Sequence, residues 1–204
     1  RRSGEFTRME VFGDLNSGNC LKVKYTADHL GLSYRWHELD IMAGESRTDV
    51  FLAMSPFGQV PVVRFDDGRA LGQSGAIIRF LARGSVLLPD DAFTQAEIDQ
   101  WMFWEQNFHE PNVAGARFHV VYRGEPVETR DPDKVERGEA ALDFMEGALK
   151  TRDFFVGAAL TIADIALLGY TRLAPQGGFQ VDGRKAITRW IARCEDVLGL
   201  PALH

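Results

Sequence analysis

The run from Val60 to Ala76 constrains this chain more than any other. Val60-Pro61-Val62-Val63-Arg64-Phe65 is rich in β-branched residues, and Asp66-Asp67-Gly68 is a strong hairpin turn. A second short strand follows, and Ser74-Gly75-Ala76 opens a helix. A proline inside a strand removes a ladder donor, so Pro61 must stand where the strand begins. Two arrangements satisfy that rule. Pro61 is either an ordinary edge-strand proline or the second residue of a cis bond. The cis bond would turn the Val60 backbone away from the sheet and leave its N–H and C=O for an extended, peptide-like ligand.

Upstream, Met9 to Gly13 reads as a short apolar strand, followed by the polar loop Asp14 to Asn19. Apolar residues at 20, 23, 27 and 30 then make a helical stripe that Gly31 ends. Ser33 to Leu39 reads as a second strand. Thr48 to Met54 reads as a short helix stopped by Pro56 and Gly58. The order β-α-β-α-β-β-α implies a mixed sheet with helices packed on it.

Beyond Arg83 the pattern turns all-helical. Residues 84–93 read as a linker anchored by Leu87, Leu88 and Pro89. Thr94-Gln95-Ala96-Glu97 has the spacing of a capping box, with Phe93 and Ile98 as its staple. That helix carries Trp101, Trp104 and Phe108. Pro111 should kink or end it, and a helix should resume to about Tyr122. Asp131-Pro132 pairs an N-cap with a proline at the first helical position, and Val135, Leu142, Met145 and Leu149 share the face that follows. Thr161-Ile162-Ala163-Asp164 is a second capping box, stapled by Leu160 and Ile165. Its helix, Ile162 to Tyr170, is almost uniformly apolar and so must lie in a core. Arg184 to Val197 is a last amphipathic helix.

Composition removes several function classes. The formal net charge is −6 and no basic run is visible, so nucleic-acid binding is disfavoured. No apolar run reaches membrane-spanning length, and no signal-peptide pattern opens the chain. Residues 1–8 read as a vector-derived leader, with the natural start at Met9. Cys20 and Cys194 lie far apart and suggest no disulfide framework, which points to a reducing cytoplasm. The five histidines show no metal-ligand spacing, and His109-Glu110-Pro111 is not a zinc-protease signature.

Four motifs, in order and spacing, resemble the cytosolic glutathione transferases. Ser17-Gly18-Asn19-Cys20 follows the first strand, like the Ser-x-x-Cys of theta-like and many bacterial members. Phe51 to Val62 resembles the family's FLxxNPxGxVPVL run, with Ser55 where Asn is usual. Leu71-Gly72-Gln73-Ser74-Gly75-Ala76-Ile77 resembles its LxESxAI. Thr161 to Asp164 resembles its S/T-x-A-D helix cap. The resemblance covers nearly everything after Met9. It implies a thioredoxin-like α/β domain over residues 9–83 and an all-α domain over 94–204. It also implies a homodimer with no permanently bound cofactor.

The activity it implies is attack by the glutathione thiolate on small, mostly apolar electrophiles. The thiol is mostly protonated at neutral pH and only the thiolate is nucleophilic. A hydroxyl at a helix start stabilises a thiolate by a charge-assisted hydrogen bond and the positive helix end. Ser17 fits that role, although it also reads as a plain turn or cap residue. Asn19 is the second candidate, since its amide can donate to sulfur. The Ser-Gly-Asn run resembles the Thr-Pro-Asn of nu-class members, which are associated with disulfide reduction. Cys20 lies on the apolar stripe and reads as an inert buried thiol.

The glutathione contacts that the resemblance implies are Arg47, Gln59, Val60, Pro61, Gln73 and Ser74. Ser74 would offer its hydroxyl and N–H to the γ-glutamyl carboxylate. Gln73 stands where Glu is usual and offers the substrate's ammonium only a neutral acceptor. Arg47 could pair with the glycine carboxylate or stay a solvated surface residue. Phe108, Pro111, Arg117 and Phe118 match the helix that faces the electrophile in the family, and an aromatic stripe can equally be core. A glutathione-dependent disulfide reductase and a non-catalytic interaction protein of the same fold are the alternative readings.

Overall fold

The computed structural model describes residues 8–203; most of the span read above as a leader, residues 1–7, lies outside the described residues. Contacts divide the chain into two units, residues 1–83 and 84–204.

The first unit is built on a four-stranded sheet in the order β2-β1-β3-β4. The strands are β1 (Met9–Gly13), β2 (Arg35–Glu38), β3 (Val62–Phe65) and β4 (Ala70–Gly72). β1 runs parallel to β2 and antiparallel to β3, and β3 and β4 form the hairpin. Val11 pairs with Trp36 on one side and Val63 on the other. Three helices accompany the sheet: α1 (Gly18–His29), α2 (Asp49–Met54) and α3 (Ser74–Ala82). The α1 stripe is buried at Cys20, Val23 and Ala27, and α3 buries Ile77, Ile78 and Ala82. Glycine is required at Gly13, because a Cβ there would sit 2.8 Å from the Trp36 ring and 3.1 Å from the Cys20 sulfur. That close approach brings the end of β1 against the start of α1, where the loop Asp14–Ser17 lies.

The Val60–Pro61 bond is cis, and β3 begins at Val62, so Val60 lies outside the ladder. Pro61 is buried and Val60 is half-buried.

The second unit contains α4 (Ala92–Trp104), a π turn (Glu105–His109), α5 (Glu110–Val121), α6 (Pro132–Leu149), α7 (Ile162–Thr171) and α8 (Lys185–Leu198). Every residue of α7 is buried. Full burial of Ile162, Ile165, Leu167 and Leu168 contributes about 1.5–3 kcal/mol each. On α6, Leu142, Met145 and Leu149 are buried while Val135 is only half-buried. As the dipeptide predicts, Asp131 caps α6 by accepting from the Asp133 N–H at 3.0 Å, with Pro132 in the first turn.

Two helix starts differ from expectation. α4 begins at Ala92, inside the span read as linker. Its cap is Asp91, which accepts from the Thr94 N–H and from the Thr94 hydroxyl, both at 2.8 Å. A carboxylate three residues upstream outcompetes the Thr94 hydroxyl as cap, so the expected capping box does not form. Phe93 is consequently exposed and staples nothing. At Pro111 the helix neither ends nor breaks. The chain widens into the π turn, and the Glu110 N–H bonds to the Glu105 carbonyl five residues back. Side chains supply donors around it: Asn112 Nδ2 reaches the Phe108 carbonyl at 2.6 Å and Asn107 Nδ2 the Phe103 carbonyl at 2.8 Å. A wider turn relieves the clash between a proline ring and the carbonyl of the preceding turn.

Among the described residues, no helix is long and apolar enough to cross a membrane, and no His/Cys/Asp/Glu group could hold a metal.

Candidate active site

Ser17 is the N-cap of α1, with extended backbone (φ −87°, ψ 121°). The preceding loop holds itself in place: the Asn16 N–H bonds to Asp14 Oδ1 at 2.7 Å and the Ser17 N–H to the Asp14 carbonyl at 2.9 Å. Ser17 Oγ accepts from the Cys20 N–H at a long 3.4 Å. A hydroxyl has one donor and two lone pairs, so accepting from this N–H does not use its proton, and the Cys20 sulfur lies within reach of it. The side chain is buried but not sealed, at 7% exposure.

Cys20 is fully buried, with its thiol beside the Ser17 hydroxyl. Its sulfur accepts from the Asp14 N–H at 3.4 Å. Burial pushes its thiol up to about 12, so it stays protonated and unreactive.

Asn19 connects two helices. Its Oδ1 accepts from Lys22 Nζ at 2.8 Å and from Ser74 Oγ at 3.1 Å. The second bond brings the N-terminus of α3 onto the first turn of α1. Ser74 opens α3 without serving as its N-cap. It is the first helical residue, and Gln73 occupies the cap position without capping through its side chain. Gln73 has φ 66° and ψ 114° and is the one non-glycine residue with positive φ among the described residues. Such a backbone costs about 1–3 kcal/mol and persists where its surroundings impose it. Gln73 Nε2 donates to Gln59 Oε1 at 3.1 Å, which ties the start of α3 to the segment before Pro61.

Arg47 is exposed, and its guanidinium lies over Gly58; a Cβ on Gly58 would meet Arg47 Nη1 at 2.7 Å. Gly58 also has φ 59°, so the position needs glycine for both reasons. Ser55, at the usual Asn position, buries a hydroxyl with no hydrogen-bond partner.

The four residues assigned to the electrophile all lie in the second unit. Phe108 is 59% exposed and stacks on Trp104. Pro111 is half-buried at the start of α5. Phe118 stacks on Tyr122 and lines a small cavity with Gly115, His119 and Arg123. Arg117 departs from the expectation. It is turned inward at 3% exposure, with Nε bonded to Gln176 Oε1 at 2.9 Å, and so packs the helical unit rather than lining an open surface.

Sequence reasoning passed over Lys22, which is 1% exposed and bonded to Asn19. The available signal was its place one helical turn after Asn19, beside the apolar stripe.

Residues 16–83 match the model of the glutathione S-transferase N-terminal domain and residues 107–196 that of the C-terminal domain. A glutathione S-transferase from Pseudomonas fluorescens Pf-5 is 41% identical, with a TM-score of 0.91 over 96% of this chain and 99% of its own. This chain belongs to the glutathione S-transferase family. The corresponding enzyme structure from Xanthobacter autotrophicus Py2 is 36% identical, with a TM-score of 0.88 over 96% of this chain and 95% of its own. Glutathione S-transferase F10 of Arabidopsis thaliana is 27% identical over 78% of this chain and 80% of its own length. Family membership supports glutathione transferase activity in general, and the thioredoxin-like and helical domains of the fold are those of the family.

Proposed function

We propose that this protein conjugates glutathione to small, mostly apolar electrophiles, with Ser17 as the principal donor to the thiolate and Asn19 as the second. The observation that carries this reading is the Ser74–Asn19 hydrogen bond, which holds two helix N-termini together. Glutathione carries negative charge at its sulfur and at its γ-glutamyl carboxylate, and paired positive helix ends suit both. The sulfur belongs beside Ser17 and Asn19, and the γ-glutamyl carboxylate on the N–H groups at the start of α3. The Ser74 hydroxyl already donates to Asn19, so the backbone is the main donor there. Val60, outside the ladder, offers its N–H and C=O to the cysteinyl residue. Arg47, over Gly58, takes the glycine carboxylate, and Gln59 and Gln73 frame the opposite end. The thiol proton leaves to solvent, and the thiolate pair forms a C–S bond as the electrophile loses its leaving group or its π bond. Exposed Phe108 and half-buried Pro111 are the residues assigned to the electrophile.

The chain works as a homodimer in this reading, consistent with exposed Val50, Phe57, Phe103 and Phe144. Its two buried free thiols suit a reducing cytoplasm. Turnover of a generic aryl halide with glutathione, and retention on immobilised glutathione, test the assignment. Turnover of a glutathionyl disulfide but not the halide would favour the reductase, whose sulfur needs the same Asn19 donor. Neither turnover nor retention would favour an interaction protein.

A further inference from the structure

Lys22 is the unusual residue of the first unit. Its side chain is almost completely buried, yet it carries an ammonium. A buried ammonium is retained only where acceptors replace its water. One such acceptor is Asn19 Oδ1, at 2.8 Å. The chemistry of that contact fixes the carboxamide. An ammonium has donors and no acceptor, so the end of Asn19 facing Lys22 must be the oxygen. The Ser74 hydroxyl donates to the same oxygen from α3. With its oxygen held by donors from two helices, Asn19 turns its NH₂ away from them.

We propose that Lys22 is a positioning residue for catalysis: it clamps the Asn19 carboxamide by its oxygen, so that the amide N–H, and never the carbonyl, faces the glutathione sulfur. This rests on the reading above that the sulfur sits beside Ser17 and Asn19. A free asparagine could flip and present its oxygen to a thiolate, which would repel it. The clamp removes that option before substrate arrives, which is electrostatic preorganisation. Lys22 touches neither substrate nor sulfur and acts through Asn19.

Three variants test this, with thermal melting to establish folding. Lys22→Met should lower kcat/KM for glutathione about tenfold, the rate equivalent of one ordinary hydrogen bond, and displace the pH–rate profile to higher pH. Lys22→Arg, which retains the charge and the donors, should recover part of the loss. Adding Asn19→Ala to Lys22→Met should cost nothing further. Additive losses with an unmoved pH profile would overturn the proposal. Asn19→Asp keeps the clamped oxygen and replaces the NH₂ with a second, negatively charged oxygen, so it should fold at least as well as wild type and be slower than Asn19→Ala. Wild-type rates in Asn19→Asp would also overturn it, even if the methionine variant failed to fold. A separate readout needs no turnover: the Asn19 side-chain ¹H–¹⁵N pair should shift and broaden in Lys22→Met. A wild-type signal in that variant would sink the clamp alone, whereas an inactive wild-type enzyme with a normal clamp would sink the transferase reading alone.

Discussion

The starts of α1 and α7 are built from the same parts and put to opposite uses. Each has a hydroxyl at the N-cap and a polar side chain within the first turn. At α7, Thr161 and Asp164 form a closed capping box. Asp164 accepts from the Thr161 N–H, the Phe155 N–H and Trp190 Nε1, all at 3.0 Å, and from the Thr161 hydroxyl at 3.2 Å. Every acceptor position is filled by the protein itself. At α1, Ser17 caps weakly at 3.4 Å, while Asn19 is held by its oxygen. A helix start with its donors and acceptors matched inside the fold is a fastener. One whose cap is weak and whose first-turn amide is tied to a second helix joins two helix starts.

The largest effect should come from breaking the fastener. Asp164→Ala removes the acceptor of three buried N–H groups from separate segments, and each stranded donor costs about 1–3 kcal/mol. A loss of about 3–5 kcal/mol is expected in thermal or urea unfolding, well above an isolated cap. An ordinary cap-sized loss would mean that Trp190 and Phe155 find other acceptors.

Ser17→Ala should show the opposite profile. Turnover should drop about a hundredfold, as when one oxyanion donor is removed, with no more than about 1 kcal/mol of stability lost. An unchanged rate would transfer the role to Asn19. Stopped assays with an aryl halide and a melting curve decide between them.

Cys20→Ala probes the boundary between the two uses. Its thiol is held protonated by burial, so activity per folded molecule should stay within about twofold. Stability should drop by about 1 kcal/mol for the small cavity. Alkylation of the native protein at neutral pH should be negligible at this residue, by mass spectrometry. Near-complete loss of activity would place the thiol in the chemistry.

The smallest effect concerns Glu10, which joins β1 to β3. Arg64 first, and then His37, holds its carboxyl below the ordinary range. A carboxylate whose folded pKa is depressed stabilises above its unfolded value and loses that contribution as pH falls through the folded one. Glu10→Gln should therefore cost at most about 1 kcal/mol at neutral pH, and nothing once the medium is acid enough to protonate the folded carboxyl. A loss that persists in strong acid would point to packing.

Local chemistry that involves neighbours in sequence was legible from residues alone: Gly31 after α1, Asp131-Pro132 before α6, and the Thr161–Asp164 box. The misreadings arose where two local signals competed or where distant segments met. Asp91 and Thr94 both suit a cap, and only geometry ranks them. Pro111 announces trouble for a helix, but whether the chain breaks or widens depends on which side chains can feed its carbonyls. Lys22 and Ser74 converge on one oxygen from helices far apart in sequence, and no spacing rule reports that. Arg117 has the composition of a surface residue and is drawn inward by Gln176.

The π turn before Pro111 has a consequence for the length of this chain. One more residue is wound into that turn than an α-helix would hold, so Glu105 and His109 are buried while Phe108, between them, is exposed. An extra residue there is absorbed as a bulge rather than as a loop. Related chains of different length can therefore keep the helices on either side in place while changing which side chain stands outward at the crossing, a route by which one inserted amino acid replaces an outward-facing aromatic without moving the scaffold.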